Sequence, residues 1–158
     1  MLNRDADPEG EMMPGCILHI AGNDFDPHTV LASMNLRPYS VFRKGDKLFP
    51  NGRSQRRHDF SGFKCDVSQD DGVLSHEIAD AIAFLKTNQS DLRCVTSFLN
   101  VDTAYLDFGY YSRFDGDRCV IQCETLPVEL LSLCGSLKIE IMLSIYPNPA
   151  AEPKPDLS

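Results

Sequence analysis

The sequence predicts an α+β fold in which a mixed β-sheet carries two or three helices on one face, as in a ferredoxin-like or related two-layer sandwich. Strand-like runs alternate with helical runs from residue 16 to residue 146, an order typical of such layered folds. One helical pattern also occurs twice, each time after one strand and before another. The two sets are Pro27, Val30, Leu31 and Met34, and Pro127, Leu130, Leu131 and Cys134. We therefore expect two strand–helix–strand units that pack in equivalent ways.

The first unit begins with an apolar run over residues 16–21, which predicts a buried strand. Asp26 is predicted to cap a helix at its N-terminus. Pro27 takes the first helical position, where its missing N–H costs nothing. Pro38 ends this helix, and residues 39–43 continue as a strand.

The middle of the chain contains a longer helix between strands. Residues 62–68 form a predicted strand, and apolar residues then recur at the spacing of a helix of roughly 14 residues. These residues are Leu74, Ile78, Ala81, Ile82 and Leu85. Three strands follow, over residues 93–101, 104–114 and 118–124. The Asp115–Gly116 pair between the last two is typical of a hairpin turn.

The second unit follows these strands. Pro127 opens a third helix, and Gly135 is predicted to be the C′ residue that ends it. Apolar side chains then alternate with polar ones, which predicts a half-buried strand. The apolar set is Leu137, Ile139, Ile141, Leu143 and Ile145. Because the helices cover one face of the sheet, its other face or an edge stays available to a partner.

Length and composition indicate one domain. A chain of 158 residues with 42% hydrophobic content can bury a core of ordinary size, and we place the domain at residues 15–146. Residues 1–14 are predicted to be disordered, and residues 147–158 to form a flexible Pro-rich tail. No apolar run approaches the roughly 20 residues that span a bilayer. The first residues also lack a signal-peptide pattern, so we expect a cytoplasmic protein.

Charge is distributed unevenly along the chain. The formal net charge is −8, but in residues 43–57 six cations against one acid give +5, which leaves −13 for the rest. The cations are Arg43, Lys44, Lys47, Arg53, Arg56 and Arg57, and the acid is Asp46. Opposite charges on one small surface favour the binding and orientation of partners. The acidic balance argues against nucleic acid and anionic membranes as partners.

The basic segment is the first candidate site. The residues proposed to bind are Arg43, Lys44, Asp46, Arg53, Arg56 and Arg57. Gly45 and Gly52 would let the backbone approach an anion closely, such as a nucleotide or a phosphorylated metabolite. Two other interpretations stay open. In the first, the cations are solvated and partly paired with the protein's own acids. In the second, an ion pair between Arg43 and Asp46 fixes the turn.

A second candidate surface lies on the strand predicted over residues 104–114. In an alternating strand, Leu106 and Phe108 face the core. Tyr105 and Tyr111 then point to the opposite side as a partly exposed aromatic strip, a common ingredient of protein interfaces. Ordinary cross-strand packing explains these tyrosines equally well.

The sequence contains no recognisable catalytic, metal or cofactor motif. The histidines lie on different elements, and none belongs to a nucleophile–base pattern. Asn23, Asp24 and Asp26 supply oxygen ligands in a short loop but fit no EF-hand spacing, and helix capping explains them better. An enzyme that acts through His58 or Cys119 is a third possibility.

The six cysteines are interpreted as reduced residues that act as small core hydrophobes. They are Cys16, Cys65, Cys94, Cys119, Cys123 and Cys134. The first five lie in runs that look like apolar strands, and the last lies on an apolar helix face. No pair has the two-residue separation of a zinc knuckle.

Several short motifs are spread over nearly the whole domain. They are IAGNDFDP at residues 20–27, LRP at 36–38, FRKGD at 42–46, the pair Gly62–Phe63, His76, and LSIY at 143–146. Together they resemble an uncharacterised bacterial family, the domain of unknown function number 4279. The resemblance implies an α+β domain of bacteria and phages without established catalytic residues. Small acidic domains of this kind are similar to immunity or antidote proteins of toxin systems, by analogy only.

These observations favour a non-catalytic, cytoplasmic protein-binding module. An immunity or inhibitor protein would use its acidic surface to block a basic site on a toxin or another effector protein. The alternative hypothesis is a regulatory domain that binds an anion through the basic segment at residues 43–57. No cofactor is expected.

Overall fold

The computed structural model describes residues 15–49, 55–69, 72–115, 118, 119 and 121–147. The N-terminus predicted to be disordered, and the predicted tail beyond residue 147, lie outside the described residues. The elements in chain order are β1 (Cys16–Gly22), α1 (Pro27–Leu31), β2 (Ser40–Phe42), β3 (Ser61–Asp66), α2 (Leu74–Thr87), α3 (Gln89–Val95), β4 (Thr103–Tyr111), β5 (Phe114–Asp115), β6 (Arg118–Cys119), α4 (Val128–Leu137) and β7 (Glu140–Tyr146). None of the described helices has both the length and the apolar character needed to cross a bilayer.

Five strands form one mixed sheet in the order β2-β3-β1-β4-β7. The first four strands pair antiparallel, and β4 pairs parallel with β7. A separate two-stranded ribbon joins β5 to β6. The predicted α+β arrangement with a mixed sheet is confirmed.

The core lies between the sheet and one layer of helices. Alternate side chains of the central strands, such as Leu18 and Leu106, are fully buried there. All four helices contribute buried side chains to the same cluster. Val30 belongs to α1 and Leu92 to α3, and α2 and α4 each supply further buried residues. The opposite face of the sheet carries no helix in the part of the chain that the structure describes.

The two strand–helix–strand units differ in size. Helix α1 has five residues, whereas α4 has ten. Val30 and Leu130, at equivalent positions of the repeated pattern, are nevertheless both buried in the same core. The repeat therefore predicts which side chain points inward, but not the length of each helix.

The prediction of a strand over residues 93–101 is wrong. Helix α3 ends at Val95, and a turn follows it. Leu92 and Val95 lie three residues apart on one helix face and are both fully buried, whereas Leu99 is 98% exposed. Burial of this helix face outweighs the strand propensity of the valine and aromatic residues in the segment.

The strand predicted over residues 118–124 is shorter than expected. Strand β6 contains only Arg118 and Cys119, and residues 121–127 form no strand. Ile121 is 92% exposed, so the apolar residue next to β6 does not pack against the sheet. The hairpin partner of β6 is β5, with Asp115 opposite Arg118, and the predicted turn residue Gly116 lies outside the described residues.

Helix α4 does not end at Gly135 as predicted. It continues to Leu137, and Lys138 adopts the left-handed conformation with φ of 55°. The N–H of Ile139 donates to the carbonyl of Cys134 (2.9 Å), and the N–H of Lys138 donates to that of Gly135 (3.2 Å). This is the Schellman pattern, in which glycine usually takes the left-handed position.

Lys138→Gly is expected to raise the free energy of unfolding by about 1 kcal/mol. A lysine side chain is strained at this positive φ, and glycine is not. Urea denaturation at neutral pH measures the change. Ser136→Gly, inside the same helix, serves as the control and should lower stability by about 1 kcal/mol. Equal losses for both variants would contradict the prediction.

Candidate binding surface

The side of the sheet that carries no helix among the described residues is here called the open face. It collects the outward side chains of four strands, most of them half-buried. They are Ile17, His19, Lys64, Asp66, Tyr105, Asp107, Tyr111, Glu140, Met142, Ser144 and Tyr146. Because side chains alternate along a strand, these residues share one side of the sheet.

Tyr105 and Tyr111 point to this face, as the alternation of β4 predicts. Their neighbours Leu106 and Phe108 are fully buried on the helix side. Tyr111 lies opposite Tyr146 of β7 in the parallel pairing. The structure thus adds a third tyrosine to the strip, which the sequence alone does not indicate because β4 and β7 are separated by some thirty residues.

A row of four rings crosses one end of the open face. The ring centroids of Tyr105 and His19 are 4.8 Å apart, and those of His19 and Phe42 are 5.7 Å apart in an edge-on contact. His58 stacks on Phe42 at 4.1 Å. Nδ1 of His19 and the hydroxyl of Tyr105 share a hydrogen bond of 2.5 Å. The row therefore connects β4, β1 and β2 to the segment that follows β2.

Burial keeps two members of this row, His19 and Tyr105, uncharged near pH 7. Desolvation lowers the pKa of His19 to about 4, and the charges of Lys64 and His58 act in the same direction. Burial also raises the pKa of Tyr105, with a smaller contribution from Asp107. The buried Nε2 of His19 has no hydrogen-bond partner in the described structure. A proton added to His19 would accordingly be strongly unfavourable.

The basic segment folds back on itself beside β2. We call residues 43–49 and 55–58 the basic arm. The N–H of Gly45 donates to the carbonyl of His58 (2.8 Å), and the N–H of Leu48 donates to that of Arg56 (2.9 Å). Gly45 has φ of 90° at the turn, a conformation that suits glycine. The arm is thus an ordered ribbon over its described residues.

Asp46 fixes the turn at the base of the arm. Its Oδ2 accepts a hydrogen bond from the backbone N–H of Arg43 (2.7 Å), and its own N–H donates to the carbonyl of Arg43 (2.9 Å). The guanidinium of Arg43 turns instead toward Asp26, at 3.8 Å. The ion pair suggested between Arg43 and Asp46 is therefore wrong, because Asp46 acts through the backbone.

Other cations of the arm are also held by the protein itself. Lys44 donates to Oδ1 of Asn23 (2.6 Å), and Arg57 donates to the carbonyl of Gly45 (2.6 Å). Arg56 is exposed, and Arg53 lies outside the described residues. At least three of the proposed binding cations, Arg43, Lys44 and Arg57, therefore have oxygen partners within the chain, all through exposed side chains where such contacts are weak.

An open cleft of about 350 Å³ lies between the arm and β2. Its lining is Ser40, Val41, Phe42, Asp46, Lys47, Leu48 and His58. An acid, Asp46, and a cation, Lys47, both line this cleft, so its charges do not uniformly favour an anion. The anion-binding alternative gains no support from this geometry.

The oxygen atoms of the loop after β1 accept hydrogen bonds from other groups of the protein. Asp26 accepts hydrogen bonds from the N–H of His28 (3.2 Å) and the hydroxyl of Thr29 (2.6 Å) at the start of α1. The Thr29 hydroxyl is the main reason that the pKa of Asp26 is lowered. The carbonyl of Asp24 accepts from the side chain of Asn100 (3.0 Å). The predicted helix cap is present.

The five cysteines whose side chains the structure describes divide into two groups. Cys16, Cys65 and Cys134 are buried as predicted, and burial raises the pKa of Cys65 to about 12 and that of Cys134 to about 11. Such thiols stay protonated and are poor nucleophiles. Cys94 and Cys123 are exposed, so their assignment to the core is wrong. Cys94 lies in helix α3, where a strand was predicted, and Cys123 lies beyond the end of the shortened strand β6.

The comparisons with known proteins identify a family but no activity. A family model described as "Domain of unknown function (DUF4279)" matches residues 11–148. Neither the search of curated proteins nor the search of solved structures found a match. The matched segment spans every strand and helix described above. The chain belongs to the DUF4279 family.

Proposed function

We propose that the protein is a non-catalytic binding module of the inhibitor or immunity type, which contacts a basic surface of a partner protein through its open face. The observation that carries this proposal is the composition of that face. A sheet face that only meets water is usually polar. This one instead presents three tyrosines together with Ile17 and Met142.

The aromatic residues supply the contact area. Tyrosine and methionine are enriched at protein interfaces, and a few large side chains carry most of the binding energy. Tyr105 is held in place by its hydrogen bond to His19, so binding would immobilise few additional rotamers. Preorganised tyrosines of this kind suit recognition of another folded protein.

The charges of the open face favour a cationic partner. Asp66, Asp107 and Glu140 lie on it against one ammonium group, that of Lys64. The chain as a whole has a net charge of −8. Complementary charge accelerates encounter and orients the two proteins, and this contribution weakens as salt screens it.

Capture from extracts of the source organism, followed by purification of the bound protein, tests the proposal. We expect a basic protein whose affinity falls when salt rises from about 0.05 to about 0.5 M. Tyr105→Ala and Tyr111→Ala should each weaken binding about tenfold or more, since truncation of a central interface residue costs about 2 kcal/mol. Calorimetric titration of the purified pair measures both effects.

Leu99→Ala is the matched control. It shortens a side chain that is 98% exposed in the turn after α3, away from the open face, and should leave the affinity unchanged. Circular dichroism verifies that each variant is folded. The proposal fails if no salt-sensitive partner is captured, or if the tyrosine variants bind as tightly as the wild type.

A further inference from the structure

The two edges of the main sheet differ sharply. Strand β2, at one edge, has three residues and leads directly into the cations of the basic arm. Strand β7, at the other edge, has seven residues and contains no charge, proline or glycine after Glu140. Proteins normally protect exposed edge strands with charges, prolines or short length. Among the described residues, strand β7 has none of these protections from Ile141 to Tyr146.

Apolar side chains project from both faces of this edge strand. Leu143 and Ile145 are 43% and 59% exposed on the helix side, and Met142 is 45% exposed on the open face. From Glu140 to Ile145, the side of the strand that faces away from β4 meets no other strand of the described sheet. Its backbone can therefore accept another strand.

Helix α4, which packs against β7, also carries an exposed apolar side chain. Glu129 forms an ion pair of 2.6 Å with Lys86, which places that flank of α4 against α2. Leu131 follows two positions later, about 200° around the helix axis, so it lies on the flank away from α2. It is 47% exposed. Because α4 packs on β7, Leu131 adds an exposed apolar side chain to the helix that contacts this edge strand.

We propose that this edge binds a second copy of the chain, through antiparallel pairing of the two β7 strands about a twofold axis at Leu143. In that register, each Ile141 lies opposite the partner's Ile145, and the two copies of Leu143 face each other. The apolar side chains on the helix side then form one continuous cluster. The five-stranded sheets of the two molecules join into a single ten-stranded sheet.

Charge and symmetry favour a second copy as the occupant. A twofold contact requires one self-complementary surface, and an apolar strand centred on Leu143 provides it. Each chain carries −8, but the register places Glu140 opposite Tyr146 rather than opposite another carboxylate. The uncharged edge is thus a place where two acidic molecules can meet without close repulsion. Dimerisation leaves the open face exposed, so it is independent of the proposed function.

Analytical ultracentrifugation of the full chain tests the dimer. At about 100 µM, two decades above a micromolar Kd, the wild type should sediment at twice the mass of the 17.7 kDa chain. Ile145→Lys should shift the protein to the monomer, since it places a charge in the dimer contact at a side chain that is 59% exposed in the monomer. Val41→Lys, at the opposite edge and 36% exposed, should leave the dimer intact.

A cysteine cross-link tests the register. In a background with Cys94→Ser and Cys123→Ser, Leu143→Cys should form an intermolecular disulfide under mild oxidation, because opposite residues of paired strands bring their Cβ atoms within about 5.5 Å. Val41→Cys is the matched control and should stay monomeric on a non-reducing gel. A monomeric wild type, or a dimer that survives Ile145→Lys, overturns the proposal. A dimer without the Leu143→Cys cross-link overturns the register.

Discussion

Replacement of Gly22 by alanine is expected to lower the free energy of unfolding by about 3 kcal/mol or more. A Cβ atom at this position would lie 1.8 Å from the carbonyl oxygen of Asn100 and 2.9 Å from its carbonyl carbon. Both contacts are with backbone, which cannot rotate away as a flexible side chain can. Overpacking against such a neighbour commonly costs 1–3 kcal/mol, roughly, and more where nothing can shift.

The two loops that meet at Gly22 are tied together, so neither can withdraw easily. The N–H of Asn23 donates to Oδ2 of Asp102 (2.7 Å), and the side chain of Asn100 donates to the carbonyl of Asp24 (3.0 Å). The introduced methyl group must therefore break these contacts or displace the end of β1. Total stabilities of small domains are about 5–15 kcal/mol, so this loss is a large fraction.

Gly135→Ala is the control for this substitution. Nothing lies within 4 Å of a Cβ built at Gly135, which is exposed inside α4. Alanine there should raise stability by about 0.5–1 kcal/mol, because it restricts the unfolded chain and favours the helix. Urea denaturation of the two variants beside the wild type measures both effects. A Gly22→Ala protein within about 0.5 kcal/mol of wild type would contradict the close approach.

Acid is expected to destabilise the protein through His19. The pKa of this histidine is about 4 in the folded protein, against an ordinary value of 6.5 for the unfolded chain. Between these values the unfolded chain binds a proton that the folded protein does not, so stability falls as pH falls. The contribution is fully present above pH 6.5 and is lost on the way to pH 4. Its size is about 2–3 kcal/mol, allowing for the partial exposure of the ring.

His19→Gln isolates this effect, because glutamine retains an acceptor for the Tyr105 hydroxyl but does not titrate in this range. The stability difference between wild type and variant should shrink by about 2–3 kcal/mol from pH 7 to pH 4. Denaturant unfolding at a series of pH values measures it. His28→Gln, at an exposed site on α1, should keep the acid dependence of the wild type. Parallel pH profiles for wild type and His19→Gln would disprove the assignment.

The sequence predicted the architecture well where the pattern is local. The alternation in β4 placed Tyr105 and Tyr111 opposite Leu106, and the capping pattern around Asp26 located the start of α1. Both signals act over a few residues, where side-chain direction is determined by backbone geometry. The same locality explains the error at residues 93–101, because a short apolar run does not distinguish a strand from a buried helix face.

The candidate surface was harder to predict because its parts come from distant segments. The ring row joins His19, Phe42, His58 and Tyr105, which are spread over more than eighty residues. Charge along the chain identified the basic arm, but not that Asn23 and Asp26 would hold its cations. Pairing of this kind depends on strand order, and strand order is decided by the whole sheet.

The position of β1 at the centre of the sheet has a consequence for biosynthesis. Its two partners, β3 and β4, are translated later, and β7 must then cross over to pair parallel with β4. The nascent chain thus exposes an apolar segment, residues 16–22. One of its backbone edges can pair with β3 once residue 66 has left the ribosome, whereas the other stays unpaired until β4 ends at residue 111. Long-range pairing of this type slows folding, and chaperones that bind exposed apolar segments should act on this chain during synthesis.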